Sequence, residues 1–147
     1  MFSPDFREFV ELLNKNEVLY MIVGGYAVGF HGHPRYTGDL DIWLLPEKEN
    51  ASRIVQAINT FGFGALGISE KDLCTEGIII QLGYPPLRID LLTSIDGVTF
   101  NECYPNRKTT EIDGLLINFI SYEDLIKNKK ASGRYQDLGD IENLQKE

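Results

Sequence analysis

Residues 21–45 read MIVGGYAVGFHGHPRYTGDLDIWLL. An apolar run stops at the pair Gly24–Gly25, and a second apolar run opens on two aspartates, Asp39 and Asp41, with one leucine between them. The segment from Val18 to Val23 has the unbroken apolar character of a buried strand. "GYAVGFHG" is a candidate for a short helix, weakened by its glycines and stopped by Pro34, because a residue before proline is pushed out of the helical region. Thr37 to Leu45 alternates as a second strand, with Thr37, Asp39, Asp41 and Trp43 on one face and Leu40, Ile42 and Leu44 on the other. Carboxylates at the edge of so apolar a strand leave two readings, a metal site or an ordinary loop-to-strand boundary.

Outward from this stretch, Ser3 caps a first helix with Pro4 in its first turn. Phe6, Phe9, Val10 and Leu13 fall on one side of it. Pro46 to Asn50 reads as a turn and "ASRIVQAINTF" as a helix, after which Gly62, Gly64 and Gly67 break the pattern. "GIIIQLG" and "LRIDLLTS" read as two strands separated by Pro85–Pro86, a hairpin or an offset pair. Residues 96–114 suggest a loop with short strands. "LLINFI" is extended, Ser121 caps the next helix with Asp124 in its first turn, and "YEDLIKNKKAS" and "QDLGDIENLQ" are terminal helices around Gly133.

The 147 residues suffice for one domain with its own core, spanning 1–147, with 121–147 as its terminal helices. No run of 18 apolar residues supports a membrane span, and the first residues carry no basic-then-apolar leader. Cys74 and Cys103 form no CxxC pair and suit a reducing cytoplasm. With 22 acids against 14 bases, the net charge of -8 opposes binding along a polynucleotide, which needs accumulated Lys and Arg contacts. A small substrate or a protein partner is easier to reconcile with that charge.

Side chains two apart on a strand point the same way, so Asp39 and Asp41 can close on one hard cation such as Mg²⁺. Asp90, in "PLRIDLLTS", supplies a third carboxylate if its strand lies beside theirs. Three acids that close repel one another, and divalent cations would relieve the repulsion. The glycine pair could offer backbone N–H groups to phosphate, or it could be a tight turn needed only for packing. No GKS or GKT follows, so it is not a Walker loop, and "GGYAVG" does not match GxGxxG.

"VGG" (23–25), "TGDLDIWL" (37–44) and "RIDLL" (88–92) together resemble the nucleotidyltransferase superfamily with the polymerase-β-type core. The closing segment "DLIKNKKASGRYQDLGDIENL" (124–144) is similar to that of its small bacterial members, the minimal nucleotidyltransferases and the toxin-type proteins of abortive-infection and toxin–antitoxin systems. The resemblance implies an α/β (α+β) nucleotidyltransferase fold, a mixed sheet backed by helices with short C-terminal helices. It implies binding of an NTP with Mg²⁺ (or Mn²⁺), transfer of an NMP unit to a hydroxyl, and release of pyrophosphate. On that likeness Gly24 and Gly25 hold the triphosphate. Asp39 and Asp41 bind both metals, and Asp90 binds the catalytic one and helps activate the acceptor. Lys129, Arg134 and Asp137 match residues prominent in the small relatives.

Arg35 and Thr37 stand where they could meet phosphate or ribose, or serve as a surface arginine and a turn cap. Lys129 and Arg134 are expected to contact substrate, while Asp137 and Asp140 are expected to be structural. His31 and His33 make a poor zinc site without a further ligand, and are expected at the cleft mouth or merely exposed. Trp43 shares the acid face by parity or packs beneath it. The acceptor hydroxyl could belong to a protein, a tRNA or a small molecule. A homodimer or a partner protein could complete the cleft. The rival readings are a non-catalytic antitoxin or regulator that keeps the fold, and an Mg²⁺-dependent phosphohydrolase.

Overall fold

A computed structural model describes residues 2–35, 37–84 and 86–146, with the side chain of Ala65 excepted. Pro85, one of the two prolines expected between "GIIIQLG" and "LRIDLLTS", lies outside the described residues, as do Met1, Tyr36 and Glu147. In chain order the elements are α1 (Pro4–Lys15), β1 (Tyr20–Val23), α2 (Gly24–Phe30), β2 (Asp39–Leu44) and α3 (Lys48–Phe61). There follow α4 (Glu70–Leu73), β3 (Ile79–Tyr84), β4 (Leu87–Leu92), α5 (Phe100–Cys103), β5 (Lys108–Ile112), β6 (Leu115–Phe119), α6 (Tyr122–Ser132) and α7 (Tyr135–Gln145).

The strands form one six-stranded mixed sheet in the order β3-β4-β2-β1-β6-β5. β2 runs parallel to β4 and β1 parallel to β6, and the other neighbours are antiparallel. β1 sits inside the sheet with all four residues buried, which is why its sequence is apolar without alternation. α1 begins as its sequence predicts: the Ser3 hydroxyl accepts the Phe6 N–H, and Phe6, Phe9, Val10 and Leu13 are buried. α1 and α3 cover the sheet face that carries Ile89, since Phe6, Phe61, Leu82 and Ile89 line one shared hollow. Phe9 meets Phe61 edge to face there, with ring centroids 5.1 Å apart.

The other face receives α6 and α7. β6 leads straight into α6, because Ile120 N–H donates to the Ile22 carbonyl at 3.1 Å and Ser121 then caps the helix by accepting the Asp124 N–H. The cap therefore sets α6 beside the end of β1, close to the glycine pair. The loop after β4 docks on the same helix: Asn128 donates to the Asp96 carbonyl at 2.9 Å and Ser132 to its carboxylate at 3.2 Å.

Three segments differ from expectation, the first being that α3 already begins at Lys48, inside the stretch 46–50 read as a turn. Residues 96–114 are not only loop and strand, since α5 and a following 3-10 turn (Tyr104–Asn106) precede β5. Phe100 and Cys103 are the buried anchors there, and two apolar positions three apart over so short a stretch carry little periodic signal. After α3, the glycine-broken stretch still forms a 3-10 turn (Gly64–Leu66) and α4, the latter fixed by a capping box between Ser69 and Asp72. No described helix is long and apolar enough to cross a membrane.

Candidate functional site

The parallel ladder of β2 and β4 pairs Asp39 with Arg88 and Asp41 with Asp90. All three candidate acids thus come from two adjacent strands and line one cavity of about 600 Å³. Gly24, Gly25, Arg35, Thr37, Lys129 and Arg134 line it as well, so the structure brings every sequence-predicted site residue to one cleft. β2 and β4 form its floor, the turn from β1 into α2 one side, and α6 with α7 the opposite wall.

The glycine pair is required by contact as well as by conformation. Gly24 has φ +68°, and a Cβ there would run into the Asp41 carboxylate. A Cβ at Gly25 would come within 3.0 Å of the Thr37 side chain. The turn can therefore press against β2 only because both residues lack side chains. Thr37 also donates its hydroxyl to the Asp39 carbonyl at 3.3 Å, which steadies the entry into β2.

Asp41 carries the clearest electrostatic signature. Burial, followed by the neighbouring charges of Asp90 and Asp39, pushes its carboxyl up to about 7, against a smaller downward pull from Lys129. Asp90 is only 8 % exposed. Oxygen donors of this kind, crowded and short of positive charge, fit a hard divalent cation in chemistry. In arrangement they are not a finished cage: among the described residues, no group of three His, Cys, Asp or Glu side chains is placed to hold a metal ion.

A residue that sequence reasoning passed over lies among the acids. The Arg88 guanidinium donates from Nε to Asp90 Oδ1 at 2.7 Å and from Nη2 to Asp90 Oδ2 at 3.1 Å. The same Nη2 reaches Asp39 Oδ2 at 3.0 Å. Arg88, Asp90 and Leu92 alternate on one face of β4. What the sequence does not disclose is that Asp39 sits directly across from Arg88.

The wall opposite is an ion network. Lys129 is 5 % exposed, and its Nζ donates to Asp137 at 3.0 Å and pairs with Asp140 at 3.1 Å. Arg35 grips Asp140 through Nε and Nη2 at 3.1 and 3.2 Å. Arg134, largely exposed at the rim, donates to Asp137 at 2.8 Å. Burial works to raise the Asp137 carboxyl, but its bonds and charges from Arg134 and Lys129 outweigh that and hold it below the usual carboxylate range. On this side of the cleft Arg35, Lys129 and Arg134 stand against three carboxylates, Asp137, Asp140 and Asp96. The wall is therefore balanced in charge, while the floor, with three acids and Arg88, carries a surplus negative charge.

Two neighbours have structural duties. His31 Nε2 lies 2.7 Å from the Ile120 carbonyl, and its ring meets Phe30 and Tyr122 edge to face, so it joins α2 to the start of α6 instead of opening onto the cleft. Among the described residues lining the cavity, neither His31 nor His33 is present. Trp43 is 1 % exposed and meets Phe100 edge to face at 5.3 Å, so it packs beneath the acid face instead of lining the cleft.

Residues 3–147 match the model of a family described as nucleotidyl transferase of unknown function (DUF2204). No curated protein sequence matches the chain. Among solved structures, the lincosamide antibiotic adenylyltransferase LnuA in its lincomycin-bound form is 15% identical, with a TM-score of 0.62, and the match covers 99% of this chain and 97% of that one. A nucleotidyltransferase candidate from Thermotoga maritima is 18% identical with a TM-score of 0.57, over 97% of this chain and 90% of that one. An antigenic nucleotidyltransferase-like protein from Paracoccidioides brasiliensis is 16% identical with a TM-score of 0.56, over 97% and 77%. At these identities the likeness is one of fold.

Proposed function

Since the chain belongs to the nucleotidyl transferase family that its residues 3–147 match, we propose that it moves an NMP group from a nucleoside triphosphate to an acceptor hydroxyl and releases pyrophosphate. The observation that carries this reading is the register setting Asp90 opposite Asp41, with Asp39 two residues away, on a floor faced by the glycine pair and by a wall that bears Lys129 and Arg134. Asp39, Asp41 and Asp90 would hold Mg²⁺ or Mn²⁺, which when bound supplies Lewis-acid stabilisation of phosphate oxygens.

The remaining work falls to the chain itself. The acceptor oxygen forms a bond to the α-phosphorus while the bond from that phosphorus to the β-phosphate bridging oxygen breaks, its electron pair leaving with pyrophosphate. The hydroxyl proton passes to the acid cluster, with Asp90 as the expected recipient. Gly24 and Gly25 let phosphate approach the backbone, and Arg35, Thr37 and Arg134 offer donors to its oxygens. Lys129, engaged with two carboxylates, contributes its charge through the wall it organises. Holding both reactants in line lowers the entropic part of the barrier.

A small-molecule alcohol is our preferred acceptor. The net charge of -8 disfavours a polynucleotide, and the match to the lincosamide adenylyltransferase of the same fold covers 97% of that chain. Labelling of a protein or tRNA would instead favour a toxin–antitoxin or abortive-infection role. The test is incubation with each α-labelled NTP, Mg²⁺ or Mn²⁺, and a panel of alcohols, tRNA and cell protein. The expected result is a labelled acceptor with one pyrophosphate per label, lost at least about a thousandfold in Asp41→Asn and Asp90→Asn. Phosphate release without a labelled acceptor would make the protein a phosphohydrolase. Absence of nucleotide binding would make it a non-catalytic interaction protein.

A further inference from the structure

Arg88 occupies the place where the acid cluster most needs positive charge. It lies two residues before Asp90 on β4, so the two side chains share a face, and it is the register partner of Asp39 on β2. One planar guanidinium engages both oxygens of Asp90 and one of Asp39, at 2.7 to 3.1 Å. The same oxygens are those a divalent cation would need, and no three acids among the described residues converge as they stand.

We propose that Arg88 is a positioning residue that stands in for the divalent cation, bridging Asp39 and Asp90 until an ion takes its place. This rests on the metal-dependent reading of the site given above. Two consequences oppose each other. The clamp keeps two strands' carboxylates aimed at one point, which favours an ordered site. It also competes with an incoming ion for lone pairs and repels it by charge. The fork matters for the first effect and the charge for the second, so lysine and uncharged replacements separate them.

The experiment measures Mn²⁺ binding to the nucleotide-free protein by calorimetry and by the electron paramagnetic resonance signal of free Mn²⁺. Arg88→Gln, which keeps hydrogen-bond donors without the charge, is expected to bind Mn²⁺ about tenfold more tightly than wild type. Arg88→Ala should move the same way, giving a second variant should either fail to fold. Arg88→Lys keeps the charge and should stay within about threefold of wild type. Arg53→Ala removes the same charge at an exposed position on α3, where Arg53 donates to the Glu17 carbonyl, and should leave Mn²⁺ affinity unchanged. Unchanged or weaker Mn²⁺ binding in both uncharged Arg88 variants, with a wild type that does bind, would overturn the role of Arg88 alone. No Mn²⁺ binding by wild type or any variant would overturn it together with the metal-dependent reading.

Discussion

Asp41 is a carboxylate whose ionisation costs the fold free energy. Its carboxyl is pushed up to about 7 by burial and by Asp90 and Asp39, so the folded protein holds a proton there that the unfolded chain releases near its ordinary value. With the folded value above the unfolded one, the stability linked to Asp41 is full at acid pH. It falls as pH rises from about 4 to about 7 and is flat beyond. The shift corresponds at its ceiling to on the order of 4 kcal/mol. In the presence of a chelator, Asp41→Asn should lose that slope and exceed wild type in stability at pH 8, read from urea midpoints between pH 4 and 8. Parallel curves for the two proteins would mean that Asp41 ionises freely. A carboxylate kept in this state is poorly suited to a purely architectural role. The same position against Gly24 that makes it costly also aims it into the cleft.

At the scale of elements, α6 and α7 are joined by a buried charge. Lys129 pins Asp137 and Asp140, both on α7, while Arg35 from the loop before β2 reaches across to Asp140. Removing one member of a buried network leaves its partners uncompensated, which costs about 3–5 kcal/mol. Lys129→Met should show a loss of that order by urea unfolding, and adding Asp140→Asn should recover part of it. Equal losses in the single and double variants would place the cost in packing instead. This network also marks where the sequence was legible and where it was not. Parity alone put Asp39 and Asp41 on one face, and the caps at Ser3 and Ser121 announced α1 and α6. Asp137, expected to be structural, is paired with Lys129 and Arg134 and also lines the cleft. Lys129 was expected at the substrate, and it does line the cleft, but its ammonium is already committed to two carboxylates. Burial of that ammonium depends on how two helices meet, which local spacing does not encode. Arg88 escaped for the same reason, since its partner lies 49 positions away on the neighbouring strand. The short α4 and α5 were lost among glycines and isolated hydrophobes, where stretches of four residues give no period to read.

For the whole molecule, the site is a product of the complete fold. Its floor comes from β2 and β4 and its far wall from α6 and α7, so the residues that meet there span most of the chain. The loop after β4 locks onto α6 through Asp96, and Gly97 abuts Ala131 so closely that a Cβ would collide. Ile120 ties the start of α6 to β1 inside the sheet. These links propose one cooperative unit over residues 1–147, with 121–147 as part of it. Trp43 reports on the sheet by itself, being the chain's single tryptophan and buried on β2 against Phe100. Far-UV circular dichroism reports mainly on the helices, α6 and α7 included. If the terminal helices belong to the same unit, urea should move both signals through one transition with the same midpoint and slope. Helical signal lost before Trp43 becomes solvated would make α6 and α7 a separable layer. The wall that carries Lys129 and Arg134 could then depart while the acid floor survives, and the cleft would have to assemble on binding its substrate.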